Sequence, residues 1–331
     1  MLPSHARAQH PPVRIYTAAD GLVDNRVSRI VRDSRGFMWF CTEAGLSRFD
    51  GYTFTNYTVE QGLPDNEVND LLEARDGMYW IATGKGLCRF NPRGRPPTDT
   101  ARPVSTAAGQ HPYGSRSNSQ SDSQAMFTAY SLPGAPNGQP IKTLYEDRSG
   151  TLWCGTWQGL YRVDRHYAHV SFIPIDIGVP TAEPQPHVVK EIVEDARGVL
   201  WATTDSGLCR RFPDGRTERF TNKNGLLSNS LLGLLEDSKG RLWVGDRLGG
   251  IYQIADNADA RGSIVVRSCS IGDGLPCTGV TPAHARRRIR ERKIWRVSPV
   301  NMEGSIFMLF HLPLKPVTIV TQNHIRGSDG G

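Results

Sequence analysis

The 331-residue sequence lacks several features that would assign a function directly. It contains no run of about 18 apolar residues, so no segment is typical of a membrane-spanning helix. Its six cysteines show no C-x-x-C spacing, which argues against a zinc site or a thioredoxin-like centre. It also has no Gly-rich phosphate loop, no G-x-S-x-G motif and no H-E-x-x-H motif. The sequence therefore predicts no metal, no cofactor and no catalytic residue.

The excess of positive over negative charge is almost confined to one short segment. The net charge is +6, and residues 285–293 (ARRRIRERK) hold six basic residues and one acidic residue, which supply +5 of it. The rest of the chain carries +6 − 5 = +1 and is close to neutral. Nucleic-acid binding needs a basic face, so we expect no nucleic-acid partner.

Residues 1–12 include Ala6-Arg7-Ala8, which has the A-x-A form of a signal-peptidase site. No apolar stretch precedes it, so the chain as written carries no usable signal peptide. One interpretation is a residual leader whose true start lies upstream, and the protein would then be periplasmic or extracellular. The other interpretation is coincidence among small and basic residues.

What the sequence has in abundance is turn residues, 34 Gly and 22 Pro, and an internal repeat. One pattern recurs around five tryptophans: Trp39, Trp80, Trp153, Trp201 and Trp243. Gly stands three residues before each Trp, and Asp stands six before in four copies, with Ala74 as the exception. The pattern predicts an apolar strand, an Asp-x-x-Gly turn, a Trp-bearing strand, and two further strands. Such units at this period predict an all-β propeller of four-stranded antiparallel blades.

The spacing between tryptophans locates insertions and ends. Trp39 and Trp80 are 41 residues apart, whereas Trp80 and Trp153 are 73 apart. The excess falls at residues 91–124, which are rich in Pro, Gly and Ser and which we predict to be a disordered loop within blade 2. Five clear blades are predicted across residues 13–277. Residues 278–331 are predicted to be a degraded sixth blade or a misframed tail, so that the ring is incomplete and one open edge favours self-association.

These repeats resemble those of the two-component regulator propeller family. The resemblance is carried by GLPDNEVNDLLEARDGMYWIATGKGLCRF at residues 62–90 and GLLSNSLLGLLEDSKGRLWVGD at residues 225–246. It implies the N-terminal sensor region of hybrid histidine kinases and related regulators. It also implies similarity to periplasmic ligand-sensing propellers, several of which respond to carbohydrates. The family's linker, membrane helix and kinase segments are not in this sequence, so a fragment of a larger sensor is expected.

A candidate ligand site lies at one face of the predicted ring. Fourteen residues before each Trp stand Asn25, Asn66, Gln139, His187 and Asn229. Trp157 departs from the repeat, because its counterparts in the other blades are polar or glycine, and it falls in the turn between second and third strands. A ring of amide and imidazole groups with one exposed aromatic could bind a small molecule or a carbohydrate. Ordinary turn chemistry for the ring and local packing for Trp157 remain open alternatives.

Paired acids recur at the first turn, at Glu146-Asp147, Glu194-Asp195 and Glu236-Asp237. A catalytic pair should be unique, whereas a recurring pair indicates turn chemistry. We therefore expect a non-catalytic sensing or interaction propeller that acts with a ligand or a signalling partner. The alternative is a propeller enzyme, such as a lyase or hydrolase acting on a small molecule or glycan.

Overall fold

The structure is a computed structural model that describes most of the chain from Tyr16 onward. The described residues are 16–95, 105–106, 125–134, 138–166, 169–179, 187–226, 228–237, 239–246, 251–256, 264–269, 296–300, 305–309 and 318–321. The leader-like residues 1–12 and most of the insertion at 91–124 lie outside them.

The fold is all-β, with five four-stranded antiparallel blades arranged in a ring, as the sequence predicts. Consecutive strands are neighbours within each blade, except in blade 2, where a two-residue strand from the insertion is added outside the fourth strand. The first strands of successive blades contact one another, which places them at the axis. Helical backbone in the described residues is limited to the short 3-10 turns Ala18–Asp20, Val59–Gln61 and Asn222–Asn224. No helix in the described ranges is long and apolar enough to cross a membrane.

The blades have the following strands. Blade 1 contains β1 (Val27–Arg32), β2 (Met38–Thr42), β3 (Gly45–Phe49) and β4 (Phe54–Tyr57). Blade 2 contains β5 (Val68–Glu73), β6 (Tyr79–Thr83), β7 (Gly86–Phe90), β8 (Ser105–Thr106) and β9 (Phe127–Tyr130). Blade 3 contains β10 (Ile141–Glu146), β11 (Leu152–Thr156), β12 (Gly159–His166) and β13 (His169–Ile175). Blade 4 contains β14 (Val189–Glu194), β15 (Leu200–Thr204), β16 (Gly207–Arg211) and β17 (Thr217–Phe220), and blade 5 contains β18 (Leu231–Glu236), β19 (Leu242–Asp246), β20 (Ile251–Asp256) and β21 (Ile264–Cys269).

Three further strands follow blade 5. They are β22 (Arg296–Val300), β23 (Ser305–Leu309) and β24 (Thr318–Thr321), and they form a three-stranded antiparallel sheet. They lie in the segment 278–331, for which the sequence predicted a degraded blade or a misframed tail.

The insertion in blade 2 lies between its third and fourth strands. Phe90 pairs with Phe127 in the register in which Phe49 pairs with Phe54 in blade 1. The blade therefore continues across the insertion without a change of register. Two described pieces of the segment predicted to be disordered are attached to this blade: Asn91 donates its N–H to the carbonyl of Met126, and β8 pairs with β9 as a parallel edge strand. The prediction of disorder for the remainder concerns residues outside the described ranges.

Apolar side chains fill the junctions between blades. Four clusters each join the Trp-bearing face of one blade to the first strand of the next, and they bury Trp39, Trp80, Trp153 and Trp201. The thiols of Cys41, Cys88, Cys154 and Cys209 are buried and are not joined in disulfides. Trp243 in blade 5 is only half-buried.

The Asp-x-x-Gly turn is tied to the tryptophan of the same blade. One oxygen of Asp147 accepts the Thr151 N–H at 2.9 Å, and the other accepts the indole N–H of Trp153 at 2.9 Å. The same indole bond recurs with Asp33, Asp195 and Asp237 at 3.0, 3.1 and 3.0 Å. Burial alone would raise the pKa of Asp147. The hydrogen bonds that its carboxylate accepts outweigh burial and hold the pKa below its ordinary value. Blade 2 has Ala74 at this position, and the buried Trp80 Nε1 has no hydrogen-bond partner among the described residues.

A glutamate one position earlier in the repeat ties blades 2, 3 and 4 each to the blade before. Glu73 accepts the Ser34 N–H at 2.6 Å, Glu146 accepts the Arg75 N–H at 2.9 Å, and Glu194 accepts the Arg148 N–H at 2.7 Å. Burial raises the pKa of Glu236, and the Ala196 amide of the preceding blade opposes that shift. Three successive junctions therefore carry one carboxylate-to-backbone bond each. This contact accounts for the recurrence of the Glu-Asp pairs in structural terms.

The substitution Ala74→Asp should stabilise the protein, because it supplies the acceptor that Trp80 lacks. We expect the free energy of unfolding in urea to rise by about 1 kcal/mol, which is typical of one added hydrogen bond to a buried donor. Asp147→Ala is the matched opposite change and should lower it by about 2 kcal/mol, since it orphans the Trp153 N–H. A loss of stability in Ala74→Asp, with none in Asp147→Ala, would contradict this account of the turn.

Candidate functional site

The candidate site is the face of the ring where the chain enters the first strand of each blade. All five first strands contain a β-bulge, and the extra residues are Ser28, Asn69, Lys142, Lys190 and Leu232. A bulge bends its strand and redirects side chains, and it is common beside functional sites. We call this face the mouth and define it by these five bulge residues, by the residues just before them and by the turns between second and third strands.

The predicted asparagines are held by local bonds at the mouth. The Oδ1 atom of Asn66 accepts the Val59 N–H at 2.9 Å, at the start of a 3-10 turn. Asn25 and Asn229 make the same bond to Ala18 and Asn222, each at 2.7 Å. The side-chain oxygen of each Asn therefore has a structural partner, as the turn alternative anticipated. The prediction that these side chains bind a ligand now concerns their Nδ2 groups.

Gln139 and His187 take the place of Asn in blades 3 and 4. Both residues are buried, each with 6% of its surface exposed. The Gln139 Oε1 atom has no hydrogen-bond partner among the described residues. The two side chains therefore lie below the rim of the mouth. Their contact with a ligand stays a prediction.

Trp157 lies beside a lysine that the sequence analysis did not select. The ring is 43% exposed, and the ammonium of Lys142 lies 5.5 Å from its centroid. Lys142 also bonds across the blade junction to Glu67 Oε1 at 2.9 Å and to Asn69 Oδ1 at 3.1 Å. We call these four residues the junction cluster. It combines an exposed aromatic face with an ammonium, a carboxylate and an amide.

The junction cluster is charged but balanced. Burial alone would raise the pKa of Glu67, but the bond and the charge of Lys142 lower it overall. The carboxylate is therefore ionised at neutral pH and neutralises the ammonium. The Nδ2 atom of Asn69 is buried, and Asn69 helps to lower the pKa of the neighbouring Glu67. The cluster can thus stack a ring and accept a hydrogen bond through the part-exposed Glu67 without a large net charge.

A second polar contact occupies the junction between blades 4 and 5. Lys190 pairs with Asp205 in the turn of its own blade, and Asp205 also accepts from the Ser230 hydroxyl of blade 5 at 3.2 Å. Asp205 occupies the position that Trp157 occupies in blade 3. Here the turn residue is engaged by polar partners, which leaves Trp157 as the exposed aromatic at this position of the repeat. No cluster of three or more potential metal ligands occurs among the described residues.

Substitutions at Asn229 separate the structural oxygen from the amide donors. Asn229→Ala removes the acceptor of the Asn222 N–H and should lower the free energy of unfolding by about 1 kcal/mol. Asn229→Asp keeps that acceptor and should stay within about 0.5 kcal/mol of the parent protein. Urea titrations of both variants measure this. An equal loss in the two would show that the Nδ2 group is structural too.

Comparison with known proteins identifies the repeat and the fold. The sequence profile described as "Two component regulator propeller" matches residues 21–44, 62–85, 135–158 and 225–247. Among curated proteins none matches the chain.

Two solved structures from B. thetaiotaomicron are similar over nearly the whole chain. One is described as the extracellular domain of a hybrid two component system, with 20% identity, a TM-score of 0.60, and coverage of 95% of this chain and 37% of that one. The other is described as the extracellular domain of a one component system, with 17% identity, a TM-score of 0.58, and coverage of 96% and 38%. The chain therefore spans less than two fifths of the length of either.

A third similar structure is an enzyme, the virginiamycin B lyase of Staphylococcus aureus. It shares 15% identity at a TM-score of 0.55, with coverage of 91% of this chain and 85% of that one. At these identities the three structures show a common propeller fold, and fold alone does not carry an activity.

Proposed function

Because the chain carries the repeats of the two component regulator propeller family, we propose that it is the sensor propeller of a two-component signalling system and that a ligand binds at its mouth. The matched segments span blades 1, 2, 3 and 5, so the repeats are those of one array. The two similar bacterial structures are both described as extracellular domains, which supports a place outside the cytoplasm. The chain is then the sensing part of a longer protein, with no chemistry of its own.

The observation that carries the ligand proposal is the junction cluster. An aromatic ring with 43% of its surface exposed is unusual at a position where the other blades place Glu43, Gly84 and Asp205. Buried or satisfied aromatics build the cores between blades, whereas Trp157 is outside every core cluster that the structure describes. Rings of this kind stack on ligand rings, and neighbouring polar groups then fix orientation.

The chemistry of the cluster suits a small neutral or weakly charged ring with several hydroxyl or amide groups. Glu67 supplies an acceptor beside the ring, and Lys142 holds Glu67 and Asn69 in place across the junction. A monosaccharide or short oligosaccharide has such groups. Asn25, Asn66, Gln139, His187 and Asn229 would extend the same surface around the mouth.

Binding to a panel of defined mono- and oligosaccharides tests this proposal. A hit found by thermal shift is quantified by calorimetry against Trp157→Ala and against Tyr52→Ala, which removes a 90% exposed aromatic away from the mouth. We expect Trp157→Ala to weaken binding about tenfold, since an aromatic contact contributes about 0.5–1.5 kcal/mol in addition to its buried area. Tyr52→Ala should leave affinity unchanged, and both variants should melt within about 2 °C of the parent protein.

Two results would count against the proposal. If a ligand binds the parent protein and Trp157→Ala equally, the junction cluster is not the site. If no member of the panel shifts the melting temperature, the carbohydrate class is wrong for this mouth. Self-association through an open blade edge is a separate prediction, and its readout is the oligomeric state of the free protein.

A further inference from the structure

Charged side chains lie at the axis of the ring, one residue beyond the bulges. The position ten residues before each Trp is occupied by Arg29, Asp70, Thr143, Glu191 and Gly233. Arg29, Asp70 and Glu191 are 3%, 1% and 1% exposed. Charged side chains are almost never buried to this degree unless they are paired. The mouth layer and this buried layer are consecutive residues of the same strands.

Arg29 forms an ion pair with each of the two carboxylates at the axis. The Arg29 Nε atom lies 2.9 Å from Asp70 Oδ1, and its Nη2 atom donates to Glu191 Oε1. Arg29 belongs to blade 1 and Glu191 to blade 4, 162 residues later in the chain. Their contact therefore spans the ring between blades that are not neighbours in sequence.

Asp70 extends the connection to blade 3. Its Oδ2 atom accepts the Leu144 N–H at 2.7 Å, and its Oδ1 atom accepts the Leu71 N–H at 2.9 Å. Four of the five blades thus meet through one guanidinium and two carboxylates. Burial alone would lower the pKa of Arg29, but Asp70 and Glu191 raise it overall, so the guanidinium stays charged.

We propose that Arg29, Asp70 and Glu191 form a plug that closes the central channel, so that the mouth is a blind pocket with the plug as its floor. The inference concerns access and holds whether or not a sugar is the ligand. Near-complete burial of three long polar side chains at the axis means that water does not pass between them. A ligand at the mouth then enters and leaves by one face, and nothing is conducted through the ring.

The chain contains a native probe of this closure. Cys41 is fully buried and pairs across β1 and β2 with Arg29. Burial and the nearby Asp70 raise the pKa of the Cys41 thiol, while Arg29 opposes them, so the thiol lies within electrostatic reach of the plug. Cys88 and Cys209 are equally buried but lie in the third strands β7 and β16, away from the axis. Their reactivity reports unfolding, and that of Cys41 reports opening of the channel.

Alkylation by iodoacetamide at pH 8.5, read by mass spectrometry, measures each thiol in a Cys269→Ser/Cys277→Ser background of the full chain. The small variant Arg29→Ser/Asp70→Ser/Glu191→Ser empties the axis without stranding a charge. The size-matched variant Arg29→Met/Asp70→Asn/Glu191→Gln keeps the volume and removes the ion pairs. Arg162→Ser, which removes a half-exposed arginine from blade 3, is the control.

We expect Cys41 labelling to accelerate at least about tenfold in the small variant, because thiol reactivity follows exposure. The size-matched variant and Arg162→Ser should label Cys41 at the parent rate, and Cys88 should stay protected in all of them. Rapid labelling of Cys41 in the parent protein would overturn the plug, since the channel would then be open. Equal protection of Cys41 in a folded small variant would also overturn it.

If the small variant exposes Cys88 and Cys209 as well, it has unfolded, and Arg29→Ser/Glu191→Ser replaces it. That variant leaves Asp70 with its two backbone N–H donors, so no buried carboxylate loses all its partners. Selective labelling of Cys41 in it supports the plug. Protection of Cys41 equal to the parent protein contradicts it.

Discussion

A four-stranded blade has two apolar faces and cannot bury both alone, so every blade depends on its neighbours. This constraint decides most of the structure. The tryptophans of the first four blades lie in cores that are completed by the next blade, and Trp243 in blade 5 is half-buried. Stability in such an array is a sum of blade and junction contributions.

Hydrogen bonds fix the position of each blade relative to its neighbour. Apolar contact between sheets is not directional, whereas a carboxylate that accepts a backbone N–H fixes one turn against another. Glu73, Glu146 and Glu194 each accept from the preceding blade, while the Asp after two of them fastens the Trp within its own blade. The Glu of a pair thus bonds to the preceding blade, and the Asp bonds to the Trp of its own blade. Blade 1 has Arg32 where the later blades have Glu, so the contact with a preceding blade begins at the second blade.

The sequence predicted the blades because their pattern is local and repeated. Strand order, the Asp-x-x-Gly turn and the place of the insertion follow from spacing, and Phe90 and Phe127 pair across the insertion in the register of blade 1. The junction cluster could not be predicted in the same way. Lys142 and Asn69 are bulge residues, and a bulge breaks the alternation from which side-chain direction is inferred.

The three charged axial residues can be recognised in the sequence, but the repeat spacing does not identify their partners. Arg29, Asp70 and Glu191 are charges inside apolar strands (VSRIV, VNDLL and VKEIV) at one position of the repeat. Charge in an apolar strand suggests a buried partner, but the partner of Arg29 in blade 4 is set by ring geometry and not by sequence distance. The asparagines illustrate the reverse case, because one residue type serves a turn through its oxygen and leaves its amide donors for other contacts.

Blades 2, 3 and 4 are each held to the blade before them by a glutamate-to-backbone bond. Amide hydrogen exchange of the full chain tests it most directly, since the amides of Ser34, Arg75 and Arg148 lie in exposed turns whose bonds cross a blade junction. The account predicts that these amides exchange slowly and that Glu146→Ala releases Arg75 alone, at least about tenfold, because local opening governs exchange in turns. Rapid exchange at all three amides in the parent protein would contradict it.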